Sequence, residues 1–256
     1  MTYLYRWFLI FALVIFSVSL AIAQPQRDAA GQLLILANQS RAQAGLPPLA
    51  WDSTLAAAAM KHCERMSVEG EDLEHRYPGE LDLTERAATS GTHFSLIEEN
   101  IALGQYPVQI HNGWMRSQGH RENLLNPEID HIGIAVIARN GNLYAVTDFA
   151  RVTRPRTPEQ IESEVASLIR SSGLRLRPDA TDARRACAFD RGLPDNLRSG
   201  LPMFVMHWQS AEPDQLPSSL AAALHSGRYQ QAAVGSCPAR NVEGGFTQYR
   251  VAVLLY

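Results

Sequence analysis

Two apolar segments flank an Asn-Gly dipeptide near the middle of the chain, and this pattern constrains the fold more than any other stretch. Ile132–Ala138 and Leu143–Phe149 are rich in β-branched and aromatic side chains, with Asn140-Gly141 between them. Asn-Gly tolerates the left-handed backbone of a tight hairpin turn. We therefore predict that the two segments pair as antiparallel strands.

Three helical patterns precede the hairpin. The first ends at Gly45, and the second begins after a cap at Asp52 or Ser53. The third is expected to end at Gly119, which would place His120 just past the helix stop. The polar residues 68–96 predict a long loop with short helical turns around residues 83–88. The first domain is thus predicted to be α+β, with helices on the faces of a small antiparallel sheet.

A proline-containing linker at residues 151–158 separates this part of the chain from a second domain. Thr157-Pro158-Glu159-Gln160 is a helix start, with a capping threonine, proline at the first helical position and glutamine three residues after the cap. The remaining pattern predicts a small α+β domain over residues 153–256. Its expected elements are helices at 158–172, 183–189 and 218–225 and strands at 203–208, 229–234 and 248–255.

The composition is that of an ordinary globular protein and excludes one class of partner. The chain of 256 residues is long enough for two domains, with 46% hydrophobic and 19% charged residues. Its net charge of −3 shows no signature of polyanion binding, so we expect no nucleic-acid partner.

The first 23 residues resemble an export signal. Arg6 precedes an apolar stretch from Phe8 to Leu20, and Ala21-Ile22-Ala23 has the small residues of a cleavage site. The stretch is shorter than the roughly 20 residues of a membrane-spanning helix, which disfavours the alternative of a retained anchor. We expect a mature chain without a membrane span, secreted or periplasmic, in an oxidising environment.

Three cysteines allow one disulfide and one remaining thiol. Cys187 and Cys237 both lie in the second domain, and pairing them would close a loop of about 50 residues, worth on the order of 4 kcal/mol. Cys63 lies near the buried side of a helix, where it is expected to act as a small apolar residue.

Several segments of the first domain together resemble one family. They are LLILANQSRAQAGLPPLAWDSTLAAAAMKHCERM (33–66), LEH ending at His75, EENIALG (98–104), WMRSQGHRENLLNP (114–127), IGIAV and YAVTDFA. In order and spacing they resemble the CAP superfamily of cysteine-rich secretory, antigen 5 and pathogenesis-related proteins, and its secreted bacterial branch. The match covers residues 30–152 and assigns a CAP domain to residues 24–152.

The resemblance implies an α-β-α sandwich with a cleft lined by two histidines and two acids. The histidines match at His75 and His120, and the first acid matches at Glu99. Ser117 stands where the second acid would be. Two imidazoles and one carboxylate would suit zinc or another divalent ion, with coordination positions left open to water.

Three functions fit this set of residues. The first is a secreted binding module whose cleft holds a metal, lipid, glycan or peptide without catalysis. The second is a metal-dependent hydrolase of peptide or cell-wall material, with His75, Glu99 and His120 activating water. The third is a structural role, in which the trio holds the preceding loop onto the sheet. A fold alone does not establish a reaction.

Overall fold

The structure is a computed structural model that describes residues 29–242 and 244–256, so the predicted export signal lies outside the described residues. The chain divides into two compact units. The first comprises the described residues up to Thr92 together with Leu96–Val152, and the second comprises His93–Ser95 and Thr153–Tyr256. In the part of the chain that is described, no helix has the length and apolar character needed to span a membrane.

The first unit contains five helices and a four-stranded sheet among the described residues. The helices are α1 (29–43), α2 (Ser53–Glu69), α3 (Leu83–Thr89), α4 (Pro107–Arg116) and α5 (Gln118–Leu124). The strands are β1 (Ala50–Trp51), β2 (Phe94–Gly104), β3 (His131–Arg139) and β4 (Asn142–Val152), arranged in the order β1-β3-β4-β2.

Two hydrophobic clusters cover the two faces of this sheet. On one face, Leu33 of α1, Trp114 of α4 and Leu124 of α5 pack against Ile132 and Phe149 of the hairpin. The other face packs against α2, and this second cluster contains Cys63, Met66, Tyr144 and Val146. The expected α-β-α sandwich is confirmed.

The hairpin is as predicted. Ile132 pairs with Phe149 and Arg139 with Asn142 in antiparallel register. Asn140 and Gly141 have φ values of 52° and 79°, which is the left-handed region that a turn of this kind requires.

Two local predictions in the first unit are wrong. Residues 94–104 form strand β2, although the sequence predicted a loop that leads into a helix, because Glu98 and Glu99 interrupt the apolar pattern of the strand. Gly119 does not end a helix. The break lies at Ser117, whose extended backbone (φ −80°, ψ 127°) separates α4 from α5, and Gly119 and His120 lie inside α5.

The second unit is also α+β. Its helices are α6 (Pro158–Ser171), α7 (Thr181–Cys187) and α8 (Ser218–Leu224). Its strands are β5 (Arg175–Leu176), β6 (Phe204–Ser210), β7 (Gln231–Cys237) and β8 (Tyr249–Leu255), in the order β5-β7-β8-β6. The predicted capping box is present. The Thr157 side chain accepts a hydrogen bond from the Gln160 N–H, and the Gln160 side chain accepts one from the Thr157 N–H.

The cysteines are distributed as predicted. Cys187 and Cys237 form a disulfide with a Cα–Cα distance of 5.9 Å. Cys63 is a free, fully buried thiol, and burial raises its pKa to about 12. It is therefore protonated at neutral pH and has no nucleophilic character.

Candidate functional site

Three separate elements of the first unit carry the residues singled out by the sequence. His75 lies in the connection between α2 and α3, Glu99 lies on β2, and His120 lies in α5. The His75 Nδ1 is 2.8 Å from Glu99 Oε1. The side chain of His75 is 58% exposed and that of Glu99 is 3% exposed, so a buried carboxylate orients an imidazole that reaches solvent.

Arg86 binds the second carboxylate oxygen of Glu99. Its guanidinium, only 1% exposed, forms a close ion pair with Glu99 Oε2. The same guanidinium donates to the backbone carbonyls of Leu81 (3.1 Å) and His75 (3.4 Å). Arg86 therefore joins the carboxylate to the loop that carries His75.

Asp148 of β4 lies behind this ion pair. Its carboxyl group is fully buried and lies against the carboxylate of Glu99. Burial raises the pKa of Asp148 well above its ordinary value, and the negative charge of Glu99 adds to the rise. Burial beside a second carboxyl group therefore disfavours the charged form of Asp148.

The pKa values of the two imidazoles are shifted in opposite directions. The hydrogen bond to Glu99 raises the pKa of His75, and this outweighs the effect of partial burial. Burial lowers the pKa of His120, and the nearby His75 lowers it further. The shifts therefore favour the protonated form of His75 and the neutral form of His120.

Asparagine side chains hold the backbone around His120. Asn100 Nδ2 donates to the carbonyl of His120 at 2.9 Å. Asn123 Nδ2 lies 3.0 Å from Asn100 Oδ1 and 3.2 Å from the Glu99 carbonyl. These bonds fix α5 against β2, and they explain why Asn100 follows Glu99 directly in the chain.

The residues present do not fit a resident metal ion. Both oxygens of Glu99 are occupied, one by the imidazole of His75 and one by the guanidinium of Arg86, whose positive charge opposes a cation at the same carboxylate. Among residues 29–242 and 244–256, no group of three His, Cys, Asp or Glu side chains could hold a metal ion. Metal ligation by His75, Glu99 and His120 stays a prediction from the resemblance.

Ser117 is half-buried at the junction of α4 and α5. Its backbone N–H bonds to the carbonyls of Gly113 and Trp114, and its hydroxyl caps neither helix. The structure thus gives Ser117 a part in the break between helices, and the acid nearest to Glu99 comes from β4.

Sequence reasoning missed Arg86 and Asp148. Asp148 leaves a weak signal, because it is the single charged residue between Leu143 and Ala150. Arg86 leaves none, because it lies in a short helix whose sequence, LTERAAT, reads as solvent-exposed.

The family match lies within the first unit. Residues 34–149 match the model of the CAP family, described as the cysteine-rich secretory protein family. The chain is 34% identical over 103 residues to the uncharacterized protein YkwD of Bacillus subtilis, a match covering 40% of each chain. It is 35% identical over 107 residues to the uncharacterized membrane protein YlbC of the same organism, covering 41% of this chain and 30% of YlbC.

A solved structure also has a similar sequence. It is an extracellular protein containing an SCP domain from Bacillus anthracis, 31% identical, with a TM-score of 0.46. The match covers 51% of this chain and 42% of that protein. The chain thus spans less than half the length of each of these relatives.

Proposed function

Because residues 34–149 belong to the CAP family, we propose that this chain works outside the cytoplasm as a binding module whose His75–Glu99–His120 site takes a carboxylate group of a peptide or glycan ligand. The observation that carries the proposal is the exposed imidazole of His75, held by a buried carboxylate. No bond of the ligand is broken in this proposal.

The chemistry of the two imidazoles supports a carboxylate. An ionised Glu99 accepts only, so Nδ1 of His75 carries a proton toward it, and the raised pKa favours a second proton on Nε2. That N–H is a charged donor on an exposed ring. Donors of this kind make the stronger, charge-assisted hydrogen bonds to carboxylates. The neutral His120 beside it supplies a further donor or acceptor.

The proposed location has two supports. The apolar segment before Gln24 has the features of an export signal, and the Cys187–Cys237 disulfide suits an oxidising compartment. The similar Bacillus anthracis protein is itself described as extracellular.

One observation favours a second candidate, the structural role of the trio. Arg86 ties Glu99 to the backbone at Leu81 and His75, so this network holds the α2–α3 connection onto β2 whether or not a ligand binds. The hydrolase alternative has no comparable support, because Glu99 is engaged at both oxygens and is not free to act as a base.

The test is an NMR titration of the full mature chain with acetate, an N-acetylated tripeptide and an uncharged N-acetylated disaccharide. Binding of the charged probes is expected to shift the ring signals of His75 and His120. His75→Ala should weaken binding by about 10-fold or more, since a hydrogen bond to a charged group contributes about 1.5 kcal/mol.

His131→Ala is the matched control. His131 is also an imidazole beside a carboxylate, 2.7 Å from Asp130, but it lies at the start of β3. Its loss should leave binding unchanged. If the probes shift no signal of the site while His75→Ala destabilises the first unit, the structural candidate replaces the binding module.

A further inference from the structure

A basic cavity opens on the first unit, apart from the exposed imidazole of His75. Its volume is about 270 Å³, and it is bounded by α2, by the turn at residues 78–81 and by Arg86. The charged residues in its lining are Lys61 and Arg65 from α2, Glu80 from the turn, and Arg86.

The lining carries an excess of positive charge. Three cations and one acid line it, and Glu80 pairs with His62 Nδ1 at 2.8 Å and accepts the Tyr77 N–H at 3.0 Å. Outside the lining, Glu69 pairs with Arg65 and Glu99 pairs with Arg86, so Lys61 is the lining cation without an acidic partner among the described residues. Arg86 is 1% exposed, and its Nε has no hydrogen-bond partner among the described residues. A buried charged donor without a partner is costly unless a ligand or water satisfies it.

From this charge and shape we propose that the cavity binds a small phosphate-bearing anion. Guanidinium groups match the geometry of phosphate oxygens, and a lysine ammonium adds a point charge at the mouth. Arg86 lines the cavity and also pairs with Glu99, so an anion here would lie next to the site described above without using His75 or His120.

The test is a titration of the full mature chain with inorganic phosphate, followed by the amide signals of residues 79–81. The double variant Lys61→Gln/Arg65→Gln changes two exposed side chains and should weaken binding by about 10-fold or more. Arg139→Gln, which removes an exposed charge at the hairpin, should leave it unchanged. Equal affinity in the double variant, or phosphate shifts spread over all exposed arginines, would overturn the proposal. Phosphate shifts confined to His75 and His120 would also overturn it, while leaving the carboxylate site intact.

A different observation concerns the second unit, which repeats the connectivity of the first. In each unit a helix is followed by a two-residue strand, a second helix, a long strand, a further helical segment and two final strands. The first unit has one additional helix, α3, between its second helix and the long strand. The sheet orders β1-β3-β4-β2 and β5-β7-β8-β6 correspond strand by strand. The short strand is parallel to its neighbour in both (β1 with β3, β5 with β7), and the last two strands are antiparallel in both.

A glycine makes the same close contact in both units. A Cβ at Gly133 of β3 would lie 2.1 Å from the backbone nitrogen of Ala56, the fourth residue of α2. A Cβ at Gly235 of β7 would lie 2.1 Å from that of Arg184, the fourth residue of α7. In each unit the second helix therefore crosses the third strand at backbone contact, which only glycine permits.

We assign His207 as the counterpart of Glu99 in the second unit, because His207 pairs with Ala252, which pairs with Gly235, while Glu99 contacts Asp148, which pairs with Gly133. His207 lies on β6, the strand corresponding to β2, opposite Ala252, which packs in the cluster containing α7. Burial lowers the pKa of His207, while the backbone and carboxylate of Asp190, from the connection before β6, oppose that effect. Arg250 closes the cluster, pairing with Asp190 at 2.8 Å and donating to the Cys187 carbonyl.

The two clusters differ in the exposure of their imidazoles. The Nε2 of His207 is buried, whereas the imidazole of His75 is exposed. We infer that residues 153–256 are a second copy of the fold of the first unit, in which the counterpart of the site has become a structural cluster. Ligand then binds once per chain, a consequence that rests on the proposed carboxylate site.

Paired glycine substitutions in the full chain test the shared fold. Gly133→Ala should lower hydrogen-exchange protection in α2 and β3, and Gly235→Ala should do so in α7 and β7, each by about 10-fold or more. Gly113→Ala, in helix α4 with open space around its Cα, is the control. If Gly235→Ala is as mild as Gly113→Ala, the inference fails.

His207→Ala tests the role of the cluster formed by Asp190, His207 and Arg250. It should lower protection in the second unit and leave the acetate shifts at His75 unchanged. Acetate shifts at residues 190, 207 or 250 would show an open second site and overturn the inference. If acetate shifts neither site, the proposed function fails, while the glycine pair still decides whether the fold is repeated.

Discussion

Replacing Arg86 by methionine tests the buried network at its centre. The guanidinium is 1% exposed and its partner Glu99 is 3% exposed, so the substitution leaves an ionised carboxylate buried without its cation. Breaking a buried ion pair from one side costs about 3–5 kcal/mol. Arg86 also donates to the carbonyls of Leu81 and His75, and loss of these bonds adds to the cost.

The assay is denaturant unfolding of the full chain, followed by hydrogen exchange of the β3 and β4 amides so that the first unit is observed alone. Arg86→Met should lower the free energy of unfolding by about 3–5 kcal/mol at pH 7. Glu99→Gln in the Arg86→Met background should recover part of the loss, which makes the pair non-additive.

Arg65→Met is the matched control. Arg65 pairs with Glu69 one helical turn away, with side chains 46% and 35% exposed. An exposed pair at this spacing contributes about 0.3–0.5 kcal/mol. A loss below about 1 kcal/mol for Arg86→Met, indistinguishable from the control, would refute the role assigned to the network.

Three further predictions concern titration and the disulfide. In an NMR titration the pKa of His75 should lie above 6.5 and that of His120 below it, and Glu99→Gln should lower that of His75. Because folding raises the pKa of His75, protonation of this residue stabilises the folded chain below pH 6.5, and this stabilisation is lost as the pH rises through the folded pKa. Unchanged pKa values of the two histidines would contradict this prediction. Asp148→Asn should stabilise the first unit at neutral pH. The raised pKa of Asp148 makes the wild-type protein lose stability as the pH rises above 3.8, and asparagine removes this loss. Identical pH profiles of unfolding for the two proteins would argue against this prediction. Cys187→Ser/Cys237→Ser should lower the stability of the second unit by about 4 kcal/mol in exchange experiments, with the first unit unaffected as the internal control.

The hairpin, the helix caps and the disulfide pair could be predicted from the sequence because each depends on few residues or on simple elimination. Asn140-Gly141 specifies its turn through local backbone preference. Thr157 and Gln160 cap α6 across three residues. Strand β2 was not predicted, because its two adjacent glutamates interrupt the alternation of apolar residues that indicates a strand.

By itself the sequence determined the hairpin, most of the helices, the family resemblance and the three residues His75, Glu99 and His120. Only the tertiary structure decided what Glu99 does, because its partners come from 13 residues upstream in α3 and from β4 at the far side of the hairpin. Arg86 and Asp148 contact Glu99 because α3 and β4 pack against β2. Such a contact cannot be predicted from local propensity or from the periodicity of the sequence. The surroundings of the site follow from that packing: a buried arginine and a buried aspartic acid lie against Glu99, which orients the exposed imidazole of His75.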